Sequence, residues 1–304
     1  MEVFNDIRSM IGNTPILKLN HMGVNPEVNI YAKLELMNPA GSVKDRIGKY
    51  MIDDAVATGR LKKGGTIVDA TAGNTGIGIA IAALNQGYNV IFAVPEKFSI
   101  EKQKVMMALG AKLIHTPREE GMLGAKKVAE KIIAETPGAI TLDQFENPAN
   151  PRAHYETTGP EIYRQLDGKI DYFVAGAGSG GTYTGIVKYL KEQDSSITGV
   201  LADPIGSIIG GGEHADYDIE GIGNDFIPDT MDISLVDKVI KVTDKEAFET
   251  SRALAHHEGI LAGSSSGAAL AAAIKLAATI DKGNIVTVFP DRGDRYLSKG
   301  LFED

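Results

Sequence analysis

The sequence predicts an α/β protein of two domains, each a mainly parallel twisted sheet flanked by helices. Three observations carry this. Short apolar, strand-like runs alternate with helical runs along the chain, the pattern of doubly wound parallel sheets. Three glycine-rich turns, at 71–76, 176–181 and 263–267, lie between a strand and a helix. The alternation also restarts after 144–151, a loop dense in Asn and Pro, which suggests two α/β blocks with a cleft between them.

Taken in order, Ile11-Gly12-Asn13-Thr14-Pro15 is turn chemistry and leads into a strand over Ile16–Leu19. Residues 29–34 alternate and read as a second strand. The break Asn38-Pro39-Ala40-Gly41-Ser42 precedes a helix over 43–57, in which Ile47, Tyr50, Met51 and Ala55 recur at helical spacing. A strand over 66–70 runs straight into Thr71-Ala72-Gly73-Asn74-Thr75-Gly76 and then an apolar helix, 77–86. Strands at 89–95 and 111–116 and helices at 101–109 and 124–135 complete the first block. The second block has a strand at 171–175, the glycine loop 176–181, a helix at 182–193 and a strand at 197–202. Residues 204–228 are glycine-rich and aperiodic; so long a connection is usually functional or mobile. A helix at 245–259, a Gly/Ser turn, an Ala-rich helix to about 279 and a last strand at 284–290 follow.

Composition narrows the function. The 304 residues allow one large or two modest domains. A net charge of -9 without any basic run argues against nucleic-acid binding. With no cysteine, disulfides and thiolate metal sites are impossible, so any sulfur chemistry belongs to the substrate. The six histidines lack ligand spacing, and no metal site is expected. No signal peptide or apolar run of transmembrane length is evident, so a cytoplasmic enzyme without membrane contact is expected.

Lys44 is the unusual feature. A helix N-terminus already carries partial positive charge, so a lysine in the first turn is unfavourable unless its amine is neutral or tied up as an imine. A glycine loop at a helix start can hold a phosphate, a hydroxyl at another can meet a pyridine nitrogen, and an Asn/Thr loop can hold a carboxylate. Together these are what pyridoxal phosphate needs. One other reading competes and a second is set aside. Residues 176–181 fit G-x-G-x-x-G with Asp203 downstream, the dinucleotide fingerprint of a dehydrogenase. Residues 263–267 fit the G-x-S-x-G nucleophile elbow, although Asp291 and Asp294 follow it and no histidine does.

With these motifs in order, the chain resembles the fold-type II (tryptophan synthase β-like) pyridoxal-phosphate enzymes of the cysteine synthase and cystathionine β-synthase group. Further shared stretches are 33–46, Gln144 to Pro151, Ala153 to Glu161, Gly178 to Thr182, Glu220 to Pro228 and Phe289-Pro290-Asp291. The resemblance implies that Lys44 holds the cofactor and Asn74 meets its ring hydroxyl. It also implies that Gly178, Ser179, Gly180, Gly181 and Thr182 form the phosphate cup, and that Ser265 faces the pyridine nitrogen. Thr71, Ala72, Thr75 and Gln144 match the pocket for the substrate carboxylate. Many relatives have serine at position 72, and alanine leaves only a backbone N–H there. A neutral Ser265 makes the ring a weaker electron sink, which suits β-elimination. Lys44, released by the incoming amino acid, would then take its α-proton as general base; the β-substituent leaves and a thiol adds.

Gly223 and Asp225 are expected at the substrate site. The resemblance in 220–228 is to cystathionine β-synthases, which carry an acidic residue where Asp225 stands and where cysteine synthases have a small neutral one. A carboxylate can pair with the ammonium of homocysteine or cysteine, whereas sulfide has none. Homocysteine, giving cystathionine, is therefore the expected nucleophile, with sulfide release from cysteine as a related outcome and a sulfide-using cysteine synthase as the alternative. Serine and O-acetylserine are both open as donor. The resemblance further implies the compact bacterial form, without the haem segment and regulatory domain of animal cystathionine β-synthases. It implies a homodimer, a smaller mobile domain over 37–142, and a larger domain of 1–36 plus 143–304. A catalytically weak relative that binds a partner's C-terminal tail is the remaining class, and the intact Lys44 argues against it.

Overall fold

The computed structural model describes residues 3–71, 73–96 and 99–303. In chain order its strands are β1 Ile16–Leu19, β2 Val28–Lys33, β3 Thr66–Ala70, β4 Asn89–Pro95, β5 Lys112–Thr116, β6 Ala139–Ile140, β7 Tyr172–Ala175, β8 Thr198–Pro204, β9 Lys238–Val242 and β10 Gly283–Val288. The helices are α1 Lys44–Ala57, α2 Asn74–Ala83, α3 Ile100–Ala108, α4 Gly121–Glu135, α5 Ala149–Ala153, α6 Gly159–Gln165, α7 Gly181–Gln193, α8 Asp244–Glu258 and α9 Ser264–Ala277.

The chain divides into two compact units, Met1–Ile11 with Asn38–Asn150, and Gly12–Met37 with Pro151–Asp304. The first carries a four-stranded sheet, β5-β4-β3-β6, parallel throughout. The second carries a six-stranded sheet, β1-β2-β10-β7-β8-β9, parallel except where β1 meets β2. This is the two-domain α/β fold the alternation predicts. The N-terminal residues differ from the expected division, which kept 1–36 together. The 3-10 turn Ile7–Met10 goes with the first unit, where Arg8 pairs with Asp53 on α1.

Within the first unit α2 is apolar on all sides and buried from Thr75 to Ala83, as a helix without a polar face must be. It lies against α1, whose Ile47, Met51, Ile52 and Ala55 are buried. Glycines make the approach close: a Cβ on Gly48 or Gly78 would collide with the backbone of the facing helix. In the second unit the Ala-rich α9 is buried along Ser264 to Ala273, and its small side chains let it lie against the sheet beside α8. A capping box of Thr243 and Glu246 starts α8.

Two strands and one helical run were not foreseen: β6, β9, and a continuous helical stretch from Ala149 to Gln165 that includes a π-helical turn at His154–Thr158.

Candidate active site

In the first unit the expected residues gather at two helix starts. Lys44 is the first residue of α1, and its N–H donates to Ser42 Oγ at 3.2 Å. Asp45 is fully buried and accepts from the N–H of Ala40 at 2.6 Å, which closes the turn before the helix. Asn74 is the first residue of α2. Thr71 Oγ1 accepts from the N–H of Gly76 at 3.2 Å, so the turn between β3 and α2 folds back on itself. Thr75 donates to Gln144 Oε1 at 2.7 Å. Ala72 lies outside the described residues.

Gln144 follows Asp143, whose φ of 40° is left-handed and unusual for a residue other than glycine. Side chains fix its loop. Asn147 donates to the Leu142 carbonyl at 2.7 Å, and Asn150 donates to the Gln144 carbonyl at 2.7 Å. Asp69, on β3, accepts from the Thr141 hydroxyl at 3.0 Å and from the Leu142 N–H at 3.1 Å. Burial pushes its carboxyl up to about 6; those hydrogen bonds pull the other way, and the charge of Asp143 adds to the rise.

In the second unit the loop 176–180 joins β7 to α7. Gly180 is left-handed, with φ 85°, and caps the helix. A Cβ on Gly180 would collide with Met231, and one on Gly178 with the Gly221 carbonyl. The loop therefore packs directly on the segment that carries Gly223 and Asp225. Gly223 donates its N–H to the Ala177 carbonyl at 2.7 Å, and Asn224 donates to the Gly178 carbonyl at 3.2 Å. Thr230 donates to the carbonyl of the buried Ser179. Thr182 Oγ1 meets His154 Nε2 at 3.1 Å, and His154 Nδ1 meets Thr158 Oγ1 at 2.9 Å. His154 is fully buried.

The α9 start is tied to the same segment, because Ser264 Oγ accepts from the Glu220 N–H at 3.0 Å. Ser265, the second residue of α9, is buried, and among the described residues none hydrogen-bonds its hydroxyl. Asp225 is exposed and makes no hydrogen bond or ion pair among the described residues. Gly223 is left-handed, φ 79°, and a Cβ there would stand 2.5 Å from the Tyr217 hydroxyl. Tyr217 is pushed up to about 12, by burial first and then by Asp203, Asp225 and Asp244.

Sequence reasoning missed His154 and Tyr217. His154 pairs with Thr158 four residues on, a helical spacing that the flanking Asn and Pro residues hide. Tyr217 lies in the aperiodic 204–228 stretch, where nothing local marks it.

These residues suit pyridoxal phosphate. The first N–H groups of α7 have no helical carbonyl to bond, and a rigid glycine loop surrounds them, which fits a phosphate dianion. Ser265 is buried and its hydroxyl bonds none of the described residues, which fits a pyridine nitrogen. Asp203, which a dinucleotide would need for its ribose, is instead fully buried and bonded to Lys241 Nζ at 2.5 Å and to the Gly210 N–H at 3.0 Å.

Fold and donor set thus define a pyridoxal-phosphate enzyme of two α/β units. Residues 7–291 match the family model described as "Pyridoxal-phosphate dependent enzyme", and the chain belongs to that family. It is 51% identical over 304 residues to the O-acetylserine dependent cystathionine beta-synthase of Bacillus subtilis, covering 100% of this chain and 99% of the relative. It is 45% identical over 305 residues to a cysteine synthase of Helicobacter pylori, covering 99% and 100%. The crystal structure of the O-acetylserine dependent cystathionine beta-synthase from Helicobacter pylori superposes with a TM-score of 0.94 at 44% identity, covering 99% of this chain and 100% of that one. The chain is a pyridoxal-phosphate enzyme of the cystathionine β-synthase and cysteine synthase type. Among the described residues no helix is long and apolar enough to cross a membrane.

Proposed function

We propose that the enzyme replaces the β-substituent of O-acetylserine, or of serine, with a thiol, and that its preferred thiol is homocysteine, giving cystathionine. The single observation that carries the choice is Asp225. It is an exposed carboxylate with no ion-pair partner among the described residues, on the segment that packs against the glycine loop. A carboxylate so placed favours a nucleophile that brings an ammonium group. O-acetylserine as donor is supported by the names of the Bacillus subtilis and Helicobacter pylori relatives. Cysteine synthases at 45% identity support the second reading, in which sulfide is the nucleophile.

When bound, pyridoxal phosphate withdraws electrons from the α-carbon of the amino acid. The chain supplies the rest. Gly178, Ser179, Gly180, Gly181 and Thr182 hold the phosphate, with His154 behind Thr182. Ser265 meets the ring nitrogen without charging it, and Asn74 meets the ring hydroxyl. Thr71, Ala72, Thr75 and Gln144 orient the substrate carboxylate. The Lys44 amine anchors the cofactor and takes the α-proton. Gly223 gives the Asp225 loop its left-handed turn against Tyr217. A cytoplasmic homodimer working on small amino acids is part of the same proposal.

The test is a competition. The enzyme receives O-acetylserine or serine with homocysteine and sulfide at equal concentration, and mass spectrometry reads the products. Mostly cystathionine is expected; mostly cysteine would overturn the choice of homocysteine.

A further inference from the structure

We propose that Asp69 is a positioning residue for the donor amino acid: its carboxylate fixes the segment 141–144, and with it Gln144, against the turn that opens α2. The inference rests on the reading above that Thr71, Thr75 and Gln144 bind the donor carboxylate.

The β3–β6 ladder is only two residues long, Thr66 with Ala139 and Ile67 with Ile140. Continued in register it would bring Asp69 opposite Leu142, but no strand is present there. The Asp69 side chain takes over the connection. One oxygen accepts from the Leu142 N–H and the other from the Thr141 hydroxyl. Immediately afterwards Asp143 turns left-handed and the chain departs from strand direction. Gln144 comes next, and Thr75 bonds it from α2. The turn at Asp143 is therefore clamped on both sides, by Asp69 before it and by Thr75 after it. Asp69 itself stands two residues before Thr71, so both strands of the clamp end in residues assigned to the donor.

A carboxylate is the group this geometry asks for. It accepts from both donors with its charge behind each bond, whereas an amide of the same shape accepts only one and keeps the other contact only if the Thr141 hydroxyl turns to accept from its NH2, both without charge. The charge is held at some cost: burial and Asp143 raise the carboxyl to about 6. Asp143 faces it from the loop, and Lys126 of α4 lies 4.0 Å from Asp143. Beside it, β4 brings Phe92 into register, and β6 contributes only Ala139 and Ile140. Near pH 6 the carboxyl gains a proton. On protonation the Thr141 hydroxyl can accept from the new O–H while the other oxygen still accepts from the Leu142 N–H, so both contacts survive but lose the charge that strengthens them, and the clamp weakens in acid.

The experiment compares the pyridoxal-phosphate-loaded wild type with Asp69→Asn, Thr141→Val and Gln144→Ala in steady state, varying donor and nucleophile separately between pH 5 and 8. Asp69→Asn is expected to raise the donor KM about 10-fold, to change kcat at saturating donor less than about threefold, and to leave the nucleophile KM in place. It should also remove the inflection near pH 6 from the donor kcat/KM profile. Thr141→Val, which deletes one partner and folds more safely, should raise the donor KM about threefold. An unchanged donor KM in both variants, or an inflection that persists in Asp69→Asn, overturns the inference. So does a parallel fall in kcat and in every kcat/KM, the mark of a merely structural residue. Gln144→Ala separates the two levels. If it leaves the donor KM unchanged, the carboxylate assignment itself fails. If it raises that KM while the Asp69 and Thr141 variants do not, only the clamp fails.

Discussion

Gly78 of α2 rests directly on the main-chain carbonyl of Lys44, the residue that opens α1. A Cβ on Gly78 would collide with that carbonyl and stand 3.0 Å from the Asp45 nitrogen; reciprocally, a Cβ on Gly48 would collide with the Gly78 carbonyl. The two helices cross with their backbones in contact. The start of α1, and thus Lys44, is set by a glycine one turn into α2. Gly78→Ala must push the helices apart, which overpacking data put at about 1–3 kcal/mol. Urea unfolding should register that loss. Turnover should fall further than the stability loss alone would produce, because the displaced atoms belong to Lys44 itself.

Lys44→Ala should bind pyridoxal phosphate without a covalent link and show no steady-state turnover. Borohydride reduction of the wild type followed by peptide mass spectrometry should find the cofactor mass on Lys44, and on no peptide of the variant. Retained turnover, or cofactor on another lysine, would remove Lys44 from its proposed role.

His154 links Thr158 to Thr182 inside the second unit, and it is fully buried. In the neutral ring one nitrogen accepts and the other donates. His154→Ala strands the buried Thr158 hydroxyl, at about 1–3 kcal/mol, and removes the support behind the half-buried Thr182. Part of that should appear as weaker cofactor retention, about 5- to 30-fold in Kd by fluorescence titration. His154→Gln, which can still bond at least one threonine, should recover some of it. An unchanged Kd in both would confine His154 to holding the helical run together.

Much of this arrangement was legible in the sequence because local signals and tertiary packing agree. β3 and the turn after it are an apolar run followed at once by Gly, Asn and Thr, and α2 follows as an uninterrupted apolar stretch. The loop before α7 is marked by glycines, and the structure uses Gly180 in the left-handed region. The helical run 149–165 was not legible, because Asn147-Pro148-Ala149-Asn150-Pro151 has the composition of a turn. Prolines are tolerated in a first helical turn, where the missing N–H would have no partner, and Pro151 sits there; Pro160 falls inside the run, just after the π-helical turn. β9 was missed for another reason. It is an edge strand, Lys238-Val239-Ile240-Lys241-Val242, whose lysines break the apolar run and whose identity as a strand comes only from pairing with β8. The Asp69 clamp was invisible because its partners lie more than seventy residues away, as with any side chain whose role is set by a register rather than a spacing.

Asp225→Asn keeps the shape of the loop and removes the charge. The kcat/KM for homocysteine should fall about 10-fold, while that for sulfide stays within about twofold. Because Asp225 is exposed, the wild-type preference should also weaken as salt is raised from about 0.05 M to 0.5 M. Equal effects on the two nucleophiles would make Asp225 a loop residue without a say in selectivity.

Asp69 should titrate with opposite consequences for stability and for donor binding. Its native carboxyl sits at about 6 against an ordinary 3.8, chiefly through burial. Between about pH 4 and 6 the native protein therefore holds a proton that the unfolded chain has released. The stability this contributes is fully present below about pH 4 and is lost as the pH rises through 6, by an amount on the order of 3 kcal/mol. Asp69→Asn removes that dependence. Urea unfolding of wild type and variant at pH 4, 5, 6 and 7 should give a stability difference that shifts against the wild type as the pH rises across this window. Titrating groups that do not interact with Asp69 contribute equally to both proteins and cancel; Asp143, whose charge adds to the rise, does not. Over the same window the wild-type donor KM should improve with rising pH, because the ionised carboxylate is the form that accepts from both Thr141 and Leu142. A residue kept only for stability would show the two quantities moving together. Opposed slopes would mean that the chain sustains a charge at the end of β3 at the expense of its own stability, and that what it gains there is the placement of Gln144.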